Sequence, residues 1–208
     1  VVTIFIARAY QHFFWDVPYR AILWYENLMR PILSWFQIDW EDFVSNTETD
    51  TKIQWIIKGI GILYFITSIL VLAYNQNSKK WIKVVITIIT IWQFLVVFLF
   101  TKESFFQIGQ YFEHSLQLGM PILLLYTYSK SFSLSKALVF LKVIVGLTFL
   151  CHGLYALGFY PVPGNFIDMT ISIVGLTEEQ ARTYLWVAGI IDVIILPFLF
   201  LKKTFYFK

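Results

Sequence analysis

The fold is decided by two successive apolar runs, residues 54–74 (QWIIKGIGILYFITSILVLAY) and residues 81–101 (WIKVVITIITIWQFLVVFLFT). Each run has 21 residues, and about 20 predominantly apolar residues are needed to cross the hydrocarbon core of a bilayer. A helix satisfies its backbone polar groups within the segment, which an open strand in lipid does not. The two runs therefore predict two membrane-spanning helices.

Apolar runs of this kind occupy most of the remaining chain. The 208 residues are 58% hydrophobic and only 14% charged, whereas about 25% of the residues of a soluble domain are charged. Further crossings are predicted at residues 1–15, 105–128, 137–157 and 184–201. The sequence therefore predicts an all-α, polytopic transmembrane helical bundle with about six crossings.

This bundle is expected to form a single transmembrane domain over residues 1–208. Within it, we expect a four-helix unit over residues 1–128 and a two-helix half repeat over residues 137–208. Two loops of similar layout point to this diverged internal repeat, although two similar loops can also arise by coincidence. Each loop follows a helix with a histidine near its end, and each closes with a Thr-x-x-acid or Thr-x-x-amide stretch, at residues 47–50 and 177–180. Both stretches resemble capping boxes that open the next helix, the second more closely.

The first of these loops contains a short amphipathic segment. Residues 25–36 have apolar side chains at helical spacing. We expect this segment to fold back over the bundle as a lid; the alternative is a helix that lies along the membrane surface.

Charge in the connecting segments orients the bundle. Residues 75–83, 129–142 and 202–208 together contain nine lysines and no acid. In contrast, residues 16–52 contain seven acids and three bases, and residues 158–183 contain three acids and one base. Because basic loops mark the cytoplasmic side, both termini are predicted to be cytoplasmic and the two acidic loops to lie outside.

Several classes of site are excluded by the sequence. The single cysteine, Cys151, excludes an internal disulfide, and no Cys/His spacing predicts a metal site. Cys151 adjoins His152, but neighbours on a helix do not face each other, so no nucleophilic pair is predicted. No Gly-rich phosphate loop and no basic patch interleaved with aromatic residues is present, so no nucleic-acid partner is expected.

Polar residues inside the predicted crossings are the candidate site residues, because an ionisable side chain at the bilayer centre costs about 2.5 to 3.5 kcal/mol. In the fourth predicted crossing, Gln107, Gln110, His114 and Gln117 follow spacings that place them on one helical face, and Glu113 adjoins it. This stripe should point into the bundle. It predicts either hydrogen bonds that join helices or a ligand or proton site.

Other polar residues fall at comparable depths on other crossings. Arg8 and Glu113 are predicted to form an ion pair, because a buried charge needs a partner, and Asp192 is a competing acid. Lys58 is expected to extend its ammonium toward the surface. The complete candidate set is Arg8, His12, Gln107, Gln110, Glu113, His114, Gln117, His152 and Asp192.

The chemistry of this set leaves alternatives open. Two facing histidines ligate haem iron in many proteins, and a polar pocket below aromatic residues suits a quinone head group. A small transporter is a further alternative, although no predicted crossing has the central Pro or Gly pair that often breaks transporter helices. No catalytic residue is identified.

Short motifs in both halves of the chain resemble those of a known family of membrane proteins. In residues 141–201 these motifs are Gly146-Leu147-Thr148-Phe149, His152-Gly153, Tyr155, Gly164, Phe166, Gly189 and Asp192. In the first half they take a more diverged form: Arg8, His12, Phe14-Trp15-Asp16, Pro18-Tyr19-Arg20 and Trp24. The pattern resembles the DoxX-like family of membrane proteins.

The resemblance implies a protein of the bacterial inner membrane. DoxX-like proteins are four-helix proteins, and several are linked to redox systems, such as a subunit of a thiosulfate:quinone oxidoreductase and a membrane factor for amine dehydrogenase maturation. It therefore implies an accessory or assembly subunit of a larger, redox-linked membrane complex, with membrane or periplasmic protein subunits as partners. This chain departs from the family in its six predicted crossings, its long acidic first loop and residues 16–20, where a His-Gly turn is usual.

Overall fold

The computed structural model describes residues 1–15, 17–160 and 164–201. Within these ranges every regular element is an α-helix. The helices are α1 (Val2–Phe14), α2 (Arg20–Leu23), α3 (Glu26–Trp35), α4 (Trp40–Ser45), α5 (Thr47–Ala73), α6 (Lys80–Glu103), α7 (Ile108–Glu113), α8 (Ser115–Thr127), α9 (Leu134–Ala156), α10 (Gly164–Val174) and α11 (Glu178–Phe200).

Four of these helices are long and apolar enough to cross a bilayer, counted over the described residues. They are α5, α6, α9 and α11, with 27, 24, 23 and 23 residues. The predictions of an all-α fold and of a membrane environment are thereby confirmed. Helices α1 and α8 have 13 residues each; at 1.5 Å per residue each spans about 20 Å, short of a hydrocarbon core about 30 Å thick. The predicted count of about six crossings is therefore not confirmed.

The predicted fourth crossing, residues 105–128, is not one continuous helix. Phe105 and Phe106 have φ values of 54° and 57°, a region that residues other than glycine seldom adopt, and they form a turn after α6. The helix that follows is interrupted at His114, between α7 and α8. Close to this break, the backbone N–H of Leu116 donates to the Thr148 hydroxyl of α9 at 3.0 Å, which satisfies a donor that the start of a helix leaves open.

The chain divides into two compact units. Unit 1 comprises Val1–Tyr111 and Met120–Ser133, and unit 2 comprises Phe112–Gly119 and Leu134–Lys208. In unit 1, α1 packs along α5, and α5 packs against α6. The contact of α1 with α5 depends on Gly61, where a Cβ atom would lie only 2.9 Å from the Cβ of His12.

Residues 20–45 form the cap of unit 1, which consists of α2, α3 and α4. Helix α2 contacts α6, and α4 contacts α5, so the cap is attached to both long helices. Helix α3 lies within the segment predicted at residues 25–36; Leu33 is buried, whereas Trp35 is 81% exposed. Helix α5 begins after Asn46, whose side chain accepts the Glu48 N–H. The capping box predicted at residues 47–50 is therefore wrong, and the cap residue lies one position earlier.

In unit 2, α9 and α10 both pack against α11. The backbones of α9 and α11 approach closely at two glycines: a Cβ atom on Gly189 would lie 2.9 Å from the Gly153 carbonyl oxygen. Small residues allow such approaches between membrane helices. Helix α11 opens with a capping box in which Thr177 and Gln180 exchange hydrogen bonds, which confirms the box predicted at residues 177–180.

Candidate functional site

A chain of hydrogen bonds runs through the interior of unit 1, and His12 lies at its centre. The His12 side chain is fully buried. Its Nδ1 atom lies 2.6 Å from the Arg8 carbonyl oxygen, and its Nε2 atom lies 2.9 Å from the Tyr19 hydroxyl. The indole N–H of Trp92 donates to the same hydroxyl at 2.8 Å. We call Arg8, His12, Tyr19 and Trp92 the Tyr19 network.

The donors and acceptors of this network determine the direction of each bond. A carbonyl oxygen only accepts, so His12 Nδ1 carries the proton that is donated to Arg8. In a neutral imidazole the other nitrogen is then an acceptor, so the Tyr19 hydroxyl donates to Nε2. The hydroxyl oxygen accepts from Trp92, because an indole nitrogen only donates. Burial raises the pKa of Tyr19 to about 12, so the hydroxyl keeps its proton to a higher pH than an ordinary tyrosine does.

Further polar side chains border the Tyr19 network. The ring of Tyr64 lies 5.1 Å from that of His12, and its buried hydroxyl has no hydrogen-bond partner in the described part of the chain. The Arg8 guanidinium donates to the Gln11 side chain at 2.7 Å and lies 5.3 Å from the ring centre of Phe100. Both ring nitrogens of His12 are already engaged, so haem ligation by His12 would require one of its bonds to break. His12 therefore fits the role of a haem ligand poorly.

A cavity of about 420 Å³ lies beside this network, within unit 1. Its lining atoms are apolar, and Tyr19 and Trp92 contribute aromatic faces to it. We call this cavity the apolar groove. Helices α5 and α6 form its walls and the cap covers it, through side chains that include Ile53, Ile57, Leu95, Leu99, Met29 and Phe43. Its volume falls in the range of about 300 to 1,000 Å³ that is common for ligand pockets.

A second, more open cavity of about 680 Å³ lies at the same end of unit 1. Its walls come from the end of α1, the cap and the beginning of α5. We call it the polar cleft, because it is lined by Arg20, Asn46, Asp50, Gln54 and Lys58 as well as by Phe13, Phe14, Trp15 and Trp24. Arg20 and Asp50 form an ion pair at 2.8 Å within it.

The cap is fastened to the end of α6 by Lys102. The Lys102 ammonium donates to the carbonyl oxygen of Ala21 and lies 4.7 Å from the ring centre of Tyr25. Together with the Arg20–Asp50 pair, this contact joins the cap to both long helices that form the apolar groove.

Unit 2 has its own polar residues. Glu113 is 8% exposed, and its carboxylate lies 3.7 Å from Nδ1 of the adjacent His114. His152 stacks on Phe166, with ring centres 5.4 Å apart and planes inclined by 18°. Asp192 is half-buried and lies beside Gly153.

The nine predicted candidate residues divide between the two units. Arg8, His12, Gln107 and Gln110 lie in unit 1; Glu113, His114, Gln117, His152 and Asp192 lie in unit 2. The structure brings Arg8 together with His12, and Glu113 with His114. The predicted Arg8–Glu113 pair and a cluster of all three histidines each join residues of different units, and both stay predictions.

The predicted polar stripe is not carried by one helix. Gln107 precedes α7 and Gln110 lies in α7, whereas His114 lies at the break and Gln117 lies in α8. Among the described residues, no group of three or more His, Cys, Asp or Glu side chains is arranged to hold a metal ion.

Sequence reasoning did not single out Tyr19, Trp92 or Tyr64 as site residues. Tyr19 entered only as part of the Pro18-Tyr19-Arg20 motif, and Trp92 and Tyr64 are aromatic residues within apolar runs. Because aromatic residues are common in membrane helices, only the position of Trp92 at mid-helix, away from the interfacial belts, could have drawn attention.

Comparisons with protein-family models, curated proteins and solved structures found no match to this chain. The DoxX-like resemblance therefore rests on its motifs and stays a prediction.

Proposed function

We propose that this protein is a small membrane subunit that holds a long-chain lipophile beneath its cap and serves a larger, redox-linked membrane complex, as the DoxX-like resemblance implies. The apolar groove is the observation that carries this proposal. It combines an entirely apolar lining with walls from two helices, α5 and α6, that are long enough to cross a bilayer.

An apolar chain suits the groove better than a polar ligand does. A polar group that enters without hydrogen-bond partners loses several kcal/mol (roughly 2 to 7), and the lining offers it none. An acyl or isoprenoid chain needs no such partners. Met29 and Phe43 of the cap line the groove together with residues of α5 and α6, so a chain within it has contacts on several sides.

A quinone is the lipophile that connects this groove with a redox role. Its isoprenoid tail matches the groove, and its ring can stack against Tyr19 or Trp92, since aromatic rings prefer offset or edge-on contacts with one another. The Tyr19 hydroxyl already donates to His12 and accepts from Trp92, so the head group would be held by contacts with the Tyr19 and Trp92 rings rather than by a hydrogen bond to a quinone carbonyl. In this proposal the Tyr19 network positions the head group.

Ligand extraction tests the proposal. The protein is purified in mild detergent, extracted with organic solvent and analysed by mass spectrometry and by oxidised-minus-reduced ultraviolet spectra. Leu95→Trp fills the groove, whereas Ile91→Trp adds the same ring one helical turn away, at a position that is 65% exposed. We expect near-stoichiometric lipophile in the wild type and in Ile91→Trp, and about tenfold less in Leu95→Trp. Equal retention by the two variants would contradict the proposal.

The accessory role calls for a partner protein. The exposed aromatic side chains of the cap, Trp35 at 81% and Phe36 at 69% exposure, are the surface that we assign to this partner. A photoreactive amino acid at position 35 should cross-link the cap to another subunit of a redox complex, identified by mass spectrometry, and the same group at Leu63 of α5 should not. A protein that isolates alone and shows no position-specific cross-link would argue against the role.

A small transporter is the second candidate, and the break at His114 favours it. Discontinuous helices often form the ion and substrate sites of transporters, and the buried Glu113 lies next to this break. Reconstituted vesicles with an internal pH indicator would show proton flux that Glu113→Gln abolishes and Glu103→Gln preserves. Flux equal to that of empty vesicles would rule this candidate out.

We also propose that the membrane is the bacterial inner membrane and that both termini are cytoplasmic. The alternation of basic and acidic connecting segments supports this orientation. In a Cys151→Ala background, Gln37→Cys in the cap should react with an impermeant maleimide on intact spheroplasts. Gln76→Cys, at an exposed position in the connection after α5, should react only after permeabilisation. The opposite pattern would reverse the topology.

A further inference from the structure

Lys58 is a basic residue near the beginning of the apolar part of α5, a helix that is long enough to cross a membrane. It lies four residues after the beginning of the apolar run at residue 54, or about 6 Å along the helix axis at 1.5 Å per residue. Its side chain is half-buried and lines the polar cleft. A charged group within an apolar run is expected to face an aqueous cavity or a counter-charge, and the cleft is the cavity that Lys58 lines.

Three other basic residues near this end of unit 1 have acidic partners at 2.8 to 2.9 Å: Arg20 with Asp50, Arg30 with Glu26, and Lys52 with Glu48. Lys58 differs from them. In the part of the chain that the structure describes, its ammonium lies 5.3 Å from the ring centre of Trp55 and forms no ion pair with a carboxylate. The cleft therefore contains a cation whose charge the described residues leave uncompensated.

The other side chains that line the polar cleft indicate which kind of anion would balance the charge of Lys58. Arg20 and Lys58 against Asp50 leave the described lining with one net positive charge. Three aromatic side chains, Phe14, Trp15 and Trp24, line the same cleft and are 72%, 64% and 48% exposed. Aromatic side chains of this kind favour the level of the lipid head groups, where they contact the glycerol and upper acyl region.

We propose that the polar cleft binds the phosphate group of an anionic phospholipid against Lys58. The ammonium is a compact point charge that suits phosphate, and the Gln54 amide, about one helical turn before Lys58, lines the cleft as an additional hydrogen-bond donor. The aromatic side chains favour a lipid over free phosphate, because they offer apolar contacts that only a lipid can make.

This site is separate from the apolar groove. Gln54 and Lys58 line the polar cleft, whereas Ile53 and Ile57, their preceding neighbours on α5, line the groove. The inference therefore does not depend on the proposed lipophile, and a variant of one site should leave the other unchanged.

Lipid binding to the full chain in detergent tests the inference. Phosphatidylglycerol is titrated into the protein and bound lipid is counted by native mass spectrometry. We expect Lys58→Gln to lower the affinity for phosphatidylglycerol about tenfold and Lys58→Arg to preserve most of it. Lys52→Gln is the matched control, since it removes a lysine from the same helix whose partner is Glu48, and it should have no effect. Leu95→Trp, which fills the groove, should also have no effect.

Two further probes separate the possible ligands. Diacylglycerol, which lacks the phosphate, should bind at least tenfold more weakly than phosphatidylglycerol, and inorganic phosphate at millimolar concentration should displace little of the lipid. Full displacement by inorganic phosphate would assign the cleft to free phosphate instead and overturn the inference. Unchanged binding of phosphatidylglycerol to Lys58→Gln, with an unaltered unfolding temperature, would overturn it as well.

Discussion

The Nε2 atom of His12 lies 2.9 Å from the hydroxyl of Tyr19, and this bond joins α1 to the segment that leads into the cap. The same hydroxyl accepts a hydrogen bond from Trp92 of α6. One side-chain oxygen therefore connects the first helix, the cap and a long apolar helix in the interior of unit 1.

Replacement of this oxygen should destabilise unit 1. Tyr19→Phe keeps the ring but leaves the Trp92 N–H and the His12 Nε2 atom buried without their partner. An unsatisfied buried polar group costs about 1 to 3 kcal/mol, so we expect a lower unfolding temperature in detergent, measured by differential scanning fluorimetry. Tyr25→Phe is the control, because Tyr25 is 47% exposed and its ring contact with Lys102 is retained. Equal unfolding temperatures for the two variants would contradict the role of the hydroxyl.

The packing of α1 on α5 should be sensitive to a single methyl group. In Gly61→Ala the new Cβ would lie 2.9 Å from the His12 Cβ, so α1 must shift, at a cost of about 1 to 3 kcal/mol. Gly59→Ala, on the same helix, meets nothing within 4 Å and should be neutral or slightly stabilising. Unfolding temperatures of both variants check this expectation, which a destabilised Gly59→Ala and a neutral Gly61→Ala would refute.

The attachment of the cap should depend on Lys102. Lys102→Met keeps most of the apolar stem but removes the hydrogen bond to Ala21 and the contact with the Tyr25 ring. We expect the cap to open more often and limited proteolysis within residues 26–46 to become about threefold to tenfold faster. Lys52→Met, which removes an exposed lysine paired with Glu48, should cleave at the wild-type rate. An unchanged rate for Lys102→Met would mean that the Arg20–Asp50 pair alone is enough to hold the cap.

The crossing of α9 and α11 should not tolerate a larger residue at Gly153. A Cβ there would lie 2.9 Å from Val193 and 3.1 Å from the Gly189 carbonyl oxygen, so the helices must separate. Gly146→Ala, also on α9, makes only an ordinary contact of 3.5 Å with Phe200. The unfolding temperature in detergent should therefore fall in Gly153→Ala and stay near the wild-type value in Gly146→Ala. Equal unfolding temperatures for the two variants would contradict the close approach.

Hydropathy and capping patterns predicted those features that depend on consecutive residues. Residues 54–74 and 81–101 were predicted as helices from their apolar length, and α5 and α6 account for nearly all of both runs. The capping box at Thr177 and Gln180 was predicted from a spacing of three residues, which helix geometry links directly to a pair of hydrogen bonds. Asn46 was missed as the cap of α5 because Thr47 offers an equally good capping side chain one position later.

The helix predicted to carry the polar stripe is not continuous, for a reason that the sequence pattern does not contain. The spacing of Gln107, Gln110, His114 and Gln117 assumes an unbroken helix, and the chain departs from one at Phe106 and at His114. The Thr148 hydroxyl that binds the Leu116 N–H lies 32 residues away in the sequence, so no local pattern indicates that this donor has a partner outside its helix.

The sequence by itself determined that this protein is built from apolar helices in a membrane, because the transfer of a helix into lipid depends on the sum of its own side chains. Only the tertiary structure decided where the candidate sites lie. Tyr19 and Trp92 are 73 residues apart, and the apolar groove and the polar cleft exist only because α5, α6 and the cap meet. Contacts of this kind depend on the shapes of the packed side chains and on the direction of single hydrogen bonds. Hydropathy carries no information about either.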